Sequence, residues 1–408
     1  MKFLPVIILI GFVFPASRLT GQIKGCTDPV AINYNSSATI NDGSCIYNPG
    51  TAEPLASYLL SETISETSGL IVWNDQLWTH NDNTDTNIYS LDTLDGKITQ
   101  IYSLVGIKNR DWEEISQDEE YIYLGDFGNN AGNRRDLKIY RIAKNSLASR
   151  SAVIDSIEFS YSDQVNFSPG SNNTDFDCEA FVVAEDSIYL FTKQWISNRT
   201  SVYALPKIPG IYIAHLKLSF DVNGLVTGAA YLESKKIIVL SGYSISLDPF
   251  LYLLYDFSNH DFFSGNKRKI SVLLPFHQTE GITSEDGIKY YITNENFSPN
   301  PFISIHQKLH IFDLSPFLGN YLKIRAPLPD SRNNFIISPV PAHDFIRIRS
   351  YVDILPADYT LINLSGQIVL KGRIDSEFST ISISCLAPAL YILKIGEEKK
   401  NSLKVIKE

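Results

Sequence analysis

Apolar residues in this chain fall in short runs separated by polar turns, and the runs repeat. The plan is visible in ETSGLIVWNDQLWTHND (Glu66–Asp82), DWEEISQDEEYIYLGDFGNN (Asp111–Asn130) and DCEAFVVAEDSIYLFTKQW (Asp177–Trp195). It returns in TGAAYLESKKIIVLSGY (Thr227–Tyr243) and TEGITSEDGIKYYITNEN (Thr279–Asn296). Each unit reads as an entry turn, a short strand, a tight turn and a second, aromatic-rich strand. A repeat of roughly 45–65 residues built from short strands predicts propeller blades. The fold class is therefore all-β: a β-propeller over 54–325 with five visible blades. Long polar insertions in the second and third units (Gly128–Asp136 and Asp163–Phe176) leave room for a degenerate sixth. A small β-sandwich-like domain follows over 326–408.

The two ends of the propeller predict its closure. Leu55–Leu60 (LASYLL) is a lone apolar strand, and the fifth unit ends at Lys308–Leu314 (KLHIFDL) without a clear fourth strand. Joining the two in one blade removes both exposed edges.

Four units place a Glu at the entry: Glu66, Glu113 or Glu114, Glu179 and Glu280. The fourth unit has Thr227-Gly228-Ala229 instead. Successive strands of a blade are antiparallel, so the start of the first strand and the end of the second share a face. Asp82, Asp126, Gln194 and Glu295 stand at those second-strand ends. Glu114, which directly precedes Ile115, is taken as the second unit's member. Glu66, Glu114, Glu179, Glu280, Asp82 and Asp126 are thus candidate ligands around one channel mouth. Crowded carboxylates repel and call for a proton or a cation, so calcium or another divalent ion is the expected cofactor. The competing reading is that each Glu accepts hydrogen bonds from its own turn. His80, in WTHND, and Glu114 are the weak catalytic candidates, and His277 precedes the fifth unit. Arg134 and Arg135 lie beside the acidic face, where pairing with carboxylates is expected.

The 408-residue chain carries a net charge of -10, and no basic stripe is visible, which argues against a nucleic-acid partner. It shows no P-loop, dinucleotide fingerprint, HExxH or GxSxG. Residues 1–21 read as a signal peptide: Lys2, then an apolar core over Phe3–Phe14. There is no other candidate membrane span, hence none in the mature chain. Residues 22–53 form a small module and linker. Cys26 and Cys45 bracket the module and are expected to pair in an oxidising compartment, whereas Cys178 and Cys385, in apolar strand-like contexts, read as buried free thiols. Tyr47–Glu53 reads as a Pro- and Gly-containing linker. Asp28, Asn33, Asn35, Asn41 and Asp42 offer oxygen ligands, but a stapled polar spacer is the preferred reading.

Three resemblances extend this. GCTDPVAINYNSSATINDGSC (Gly25–Cys45) resembles a GCTDP…DGSC module of secreted proteins from Bacteroidetes-type bacteria. The Glu-turn-apolar units ETSGL, DWEEI and TEGI, with THND and TNEN, resemble propellers of the SdiA-regulated and phytase-like esterase groups, which implies a central divalent ion. Pro339-Val340-Pro341, Leu364–Gln367, Leu386–Tyr391 and Lys404–Lys407 resemble the type A C-terminal sorting domain of the type IX secretion system. Val340 stands where that pattern has Asn, and Ala389 where it has Gly. This resemblance implies a protein exported through the periplasm and then secreted or held at the outer cell surface, with the secretion machinery as a partner. A binding or interaction module for an extracellular ligand is the leading functional expectation. A metal-dependent hydrolase of phosphoester or lactone type, and a purely structural propeller, are the alternatives.

Overall fold

The computed structural model describes residues 22–147, 152–300, 303–325, 335–350, 355–376, 378–396 and 401–408. The stretch read as a signal peptide lies outside them. The chain divides into two compact units between Asn320 and Tyr321.

Among the described residues the first unit holds five four-stranded blades; the outer strands of blades 2 and 3 pair in parallel, so those two blades run together as one eight-stranded sheet, and blade 4 gains a short fifth strand from the N-terminal segment. Blade 1 is Ile71–Trp73, Gln76–His80, Asn87–Leu91 and Ile98–Ser103. Blade 2 is Trp112–Gln117, Tyr121–Asp126, Lys138–Ala143 and Ile154–Tyr161. Blade 3 is Asp177–Ala184, Ser187–Lys193, Thr200–Pro206 and Gly210–Phe220. Blade 4 is Leu225–Leu232, Ile237–Tyr243, Pro249–Tyr255 and Asn266–Val272. Blade 5 takes Thr279–Thr283, Lys289–Asn294 and Lys308–Asp313 from one end of the unit and Pro54–Leu59 from the other. The first strand of each blade neighbours those of the blades on either side, so the five innermost strands form a closed ring.

Burial explains the sequence pattern. Asp177–Ala184 is buried at every position, whereas Pro54–Leu59 alternates between half-buried and exposed. An inner strand packs against blades on both faces and so reads as a continuous apolar run, while an outer strand has one wet face. The core lies between blades. Trp78, Trp112 and Ile122 join blades 1 and 2, Phe127, Phe181 and Tyr203 join 2 and 3, and Phe191, Leu240 and Phe262 join 3 and 4. Leu77, Tyr291 and Leu309 join blade 1 to blade 5.

Lys308–Leu59 and His310–Ser57 are partners in the antiparallel ladder that closes the ring, as the two apolar ends of the unit predict. His310 ties the joint together. Its Nε2 lies 2.8 Å from Asn294 Oδ1 and its Nδ1 2.8 Å from Ser57 Oγ. The Asn294 amide nitrogen donates to the Glu295 and His306 carbonyls, which leaves its oxygen to accept from His310.

The N-terminal module is more than a spacer. The Cys26–Cys45 disulfide forms, and the module docks on blade 4. Tyr255 and Tyr47 both donate to the Asp28 carboxylate, at 2.7 and 2.8 Å. Asn41 donates to Asp256 and Asn266, and Lys267 donates to the Gly43 carbonyl. The segment read as a linker supplies Thr51–Ala52, which pairs in parallel with Asn266–Val272 and covers that edge. Asp28 and Asn41 are thus engaged with the propeller. Cys178 is a buried free thiol as expected, whereas Cys385 is exposed, because it falls in the turn after Phe378–Ser382 and not in a strand.

The second unit forms two sheets, one of Phe335–Ser338, Phe345–Ser350 and Phe378–Ser382 and one of Ile368–Ile374, Ala357–Asn363, Ala389–Ile395 and Asn401–Lys407. Ile346, Ile348, Leu361, Leu393 and Val405 lie in one core. The Leu364–Gln367 turn is real: Gly366 has φ +81° and Asn363 Oδ1 accepts the Gln367 N–H at 2.9 Å.

Candidate functional site

A recurrent β-bulge builds the site. In the pairing of the first two strands, Glu113, Glu179 and Thr227 are skipped in blades 2, 3 and 4, and the register slips across Glu280-Gly281 in blade 5. A bulge re-aims one side chain out of the alternation. In blade 1 the corresponding stretch carries Ser68, whose hydroxyl donates to the Glu113 carbonyl of the next blade. Thr227 likewise donates to the Thr279 carbonyl of the next blade. Two of these five positions therefore lock neighbouring blades through hydroxyls, and three present a carboxylate.

These carboxylates share one chamber with groups from the second-strand ends. Asp82, Asp111 and Glu113 bring carboxylate oxygens within 4.8 Å of one another. Asp177 accepts from the Asn129 N–H at 2.6 Å and from Trp195 Nε1 at 2.7 Å. Lys193 sits among the acids, 2.6 Å from Glu179 Oε2, with the Trp195 and Tyr243 rings 4.6 and 5.3 Å away. Arg134 stands at the rim, 2.8 Å from Asp126 and 3.9 Å from Asp111.

The electrostatics follow from burial and crowding. Burial, then the charges of Asp111, Glu295 and Glu66, pushes Asp82 up to about 8. Burial and Asp177 push Asp111 up to about 6, against the pull of Arg134. Burial and Glu179 push Asp177 up to about 8, opposed by Lys193 and the two hydrogen bonds. Glu113 and Glu280 are raised well above the usual carboxylate range, first by burial and then by their acidic neighbours, net of Lys193 for Glu280. Burial raises Glu179 and Glu295 as well, with Lys193 opposing in both. Burial would lower Lys193, but Glu179, Glu280 and Asp177 outweigh it and hold it raised. Eight carboxyls (Glu66, Asp82, Asp111, Glu113, Asp177, Glu179, Glu280, Glu295) thus interact around one buried ammonium. Such a set holds protons, or it takes a cation.

Glu114 is elsewhere. Its carboxylate crosses the ring axis, accepting from the Ile115 N–H and, in blade 4, from the Ala229 N–H, both at 2.9 Å. It forms a waist below the chamber, where blades approach so closely that a Cβ on Gly281 would meet the Gly69 backbone at 2.8 Å. Beyond the waist a cavity of about 380 Å³, lined by Leu70, Ile115, Val183, Ala229 and Ile282, opens at the first-to-second-strand turns.

Of the residues expected at the mouth, the structure brings Glu66, Asp82, Glu179 and Glu280 to the chamber, with Glu295. Asp126 is at its edge, paired with Arg134. Glu113 replaces Glu114. The bulge decides which of the two adjacent residues faces inward, and a strict alternation does not show it. His80 is fully buried against Trp112, at 5.8 Å between ring centroids, and burial lowers it to about 4. His277 packs on His310, at 5.5 Å, and is lowered by burial. Sequence reasoning missed Asp111, Asp177 and Lys193. The first two carry a signal, a shared Asp-x-Glu spacing in DWE and DCE that sets an Asp two residues before each bulged Glu.

Residues 337–408 match the secretion system C-terminal sorting domain, which indicates export through the type IX secretion system. No curated protein matches the chain. Among solved structures it is similar to PorZ, a surface component of the type IX secretion system of Porphyromonas gingivalis. That likeness has 10% identity and a TM-score of 0.32, and covers 84% of this chain and 45% of that one. The chain thus spans less than half of PorZ's length. It is also similar to a protein described as a putative oxidoreductase (glucose dehydrogenase) from Thermus thermophilus, at 9% identity and a TM-score of 0.37, covering 63% and 99%. The RRP9 WD40 repeats follow at 8% identity and a TM-score of 0.29, covering 60% and 67%. At these scores the likenesses carry no argument about function.

Proposed function

We propose that this chain is an exported surface or secreted binding protein whose ligand presents a positively charged group to the acidic chamber. The observation that carries the reading is the set of eight carboxyls around the single buried Lys193 on one face of a rigid ring. Glu66, Asp82, Asp111 and Glu295 are half-buried and so reachable from solvent. A charged cleft with low-dielectric walls concentrates ions of opposite sign. The test is titration of the purified chain with fluorescent Lys- and Arg-rich peptides. Saturable capture that weakens in Glu66→Gln/Glu295→Gln and with added salt supports the reading. Absence of capture across the peptide set overturns it.

A metal-dependent hydrolase is the second reading, favoured by one observation. Asp82, Asp111 and Glu113 bring carboxylate oxygens within 4.8 Å of one another, a set that could hold a divalent ion beside a bound substrate and let it polarise the scissile group. Turnover of phosphoester or lactone substrates in the presence of a divalent ion, lost in Asp82→Asn, would support it over simple binding.

A further inference from the structure

We propose that Asp82, Asp111 and Glu113 form a calcium site at the junction of blades 1 and 2, off the ring axis. The inference deepens the binding reading by naming the first cation the chamber takes. Asp82 follows the second strand of blade 1, and Asp111 and Glu113 open the first strand of blade 2. The site is therefore built by two blades and is distinct from a ring of five equivalent positions.

Four observations point to an ion there. The three carboxylates offer oxygens within 4.8 Å of one another. The set is close enough for one divalent ion to gather it, and calcium, which takes carboxylates in flexible geometry, suits three carboxylates better than magnesium, which keeps several of its waters. Glu113 is 5% exposed and its carboxylate has no hydrogen-bond or ion-pair partner among the described residues, yet it is aimed into this cluster. Leaving a buried carboxylate so placed is costly unless a counter-charge arrives.

The remaining two concern the surroundings. Gly128 closes the site from the blade 2 loop, and a Cβ there would overlap Glu113 Oε1 and Asp111 Oδ2. Its bare backbone leaves the oxygens their space. The nearby cations are shared out: Lys193 is held by Glu179 at 2.6 Å, and Arg134 by Asp126 at 2.8 Å and Asp136 at 3.3 Å, reaching Asp111 only at 3.9 Å. Neither carries the charge of all three acids. Backbone carbonyls and solvent would complete the six to eight oxygens that calcium takes.

The experiment is isothermal titration of the purified, chelator-stripped full chain with calcium chloride, and separately with magnesium chloride, in wild type, Glu113→Gln and Asp111→Asn. One calcium per chain is expected, with a higher melting temperature in calcium than in chelator. Each variant should lose roughly tenfold or more in affinity, since even outer-shell partners of a bound metal are worth about 10–100-fold. Both replacements keep side-chain shape, and circular dichroism shows whether a variant folds. If one does not, the other carries the test. No saturable calcium binding, binding unchanged in both variants, or magnesium bound in preference to calcium each overturns the assignment. Cationic peptides captured by a chain that binds no calcium would sink this inference and leave the binding reading standing.

Discussion

Lys193 Nζ lies 2.6 Å from Glu179 Oε2, and both side chains are almost fully buried. The pair is asymmetric because its surroundings are acidic. Removing Glu179 leaves Lys193 facing Asp177 and Glu280, whereas removing Lys193 leaves several buried carboxyls without a cation. Breaking a buried pair costs about 3–5 kcal/mol when a charge is stranded. Lys193→Met should therefore approach that cost, and Glu179→Gln should fall well below it. Urea unfolding of the two variants checks the order, and equal losses would mean that the other acids do not share Lys193.

The chamber also fixes the sign of the pH dependence. Burial, then acidic neighbours, push Asp82 and Asp177 up to about 8 in the fold from an ordinary 3.8. Between those values the native state holds protons that the unfolded chain has released, so stability falls as pH rises. The buried His80 and His310, lowered to about 4 and about 3 from 6.5, act oppositely and only below about 6.5, where the unfolded chain gains their protons. In chelator the melting temperature should fall from pH 6.5 to 8.5, and Asp82→Asn should flatten that slope. A rise over the same interval would refute the argument.

Much of the fold was legible because blades repeat. Paired apolar runs gave the blade count, and the orphan strand Leu55–Leu60 gave the closure with Lys308–Leu314. The site was legible in outline only. Antiparallel return brings Glu179 and Glu280 to the same face as Asp82 and Glu295, and this follows from strand direction alone. The choice between Glu113 and Glu114 did not follow, because a bulge shifts the inward face by one residue and leaves no mark in hydrophobic periodicity. Lys193 was hidden in the apolar run SIYLFTK, where a basic residue at a strand end reads as solvated. The docking of the N-terminal module was hidden too, since Tyr255 reads as core until Asp28 is placed beside its hydroxyl.

That docking can be tested through Asp28. Two tyrosine hydroxyls donate to its carboxylate, and Tyr255 is fully buried. Hydrogen bonds to a charged group are worth about 1.5–3 kcal/mol each. Asp28→Ala should destabilise the chain and expose residues 22–52 to protease. Tyr255→Phe made in the same chain should cost less than it does in the wild type, because its bond to Asp28 is already gone. Strict additivity of the two substitutions would show that they do not interact.

Ring closure makes the sharpest contrast between two truncations. Pro54–Leu59 is the outer strand of blade 5, and Leu60 and Tyr58 pack with the cluster that joins blade 5 to blade 1. A chain beginning at Pro54 keeps this strand and loses the module, so it should fold with a lower melting temperature. A chain beginning at Ser61 loses the strand. His310 then forfeits Ser57, and Lys308–Asp313 becomes an open edge with unpaired backbone groups. Such an edge is a template for pairing with another chain. The second truncation should therefore be recovered as aggregate, or as a soluble oligomer by light scattering, and a synthetic peptide spanning 53–61 added during refolding should restore monomer. A stable monomer from the Ser61 chain alone would show that the ring does not depend on its N-terminal strand.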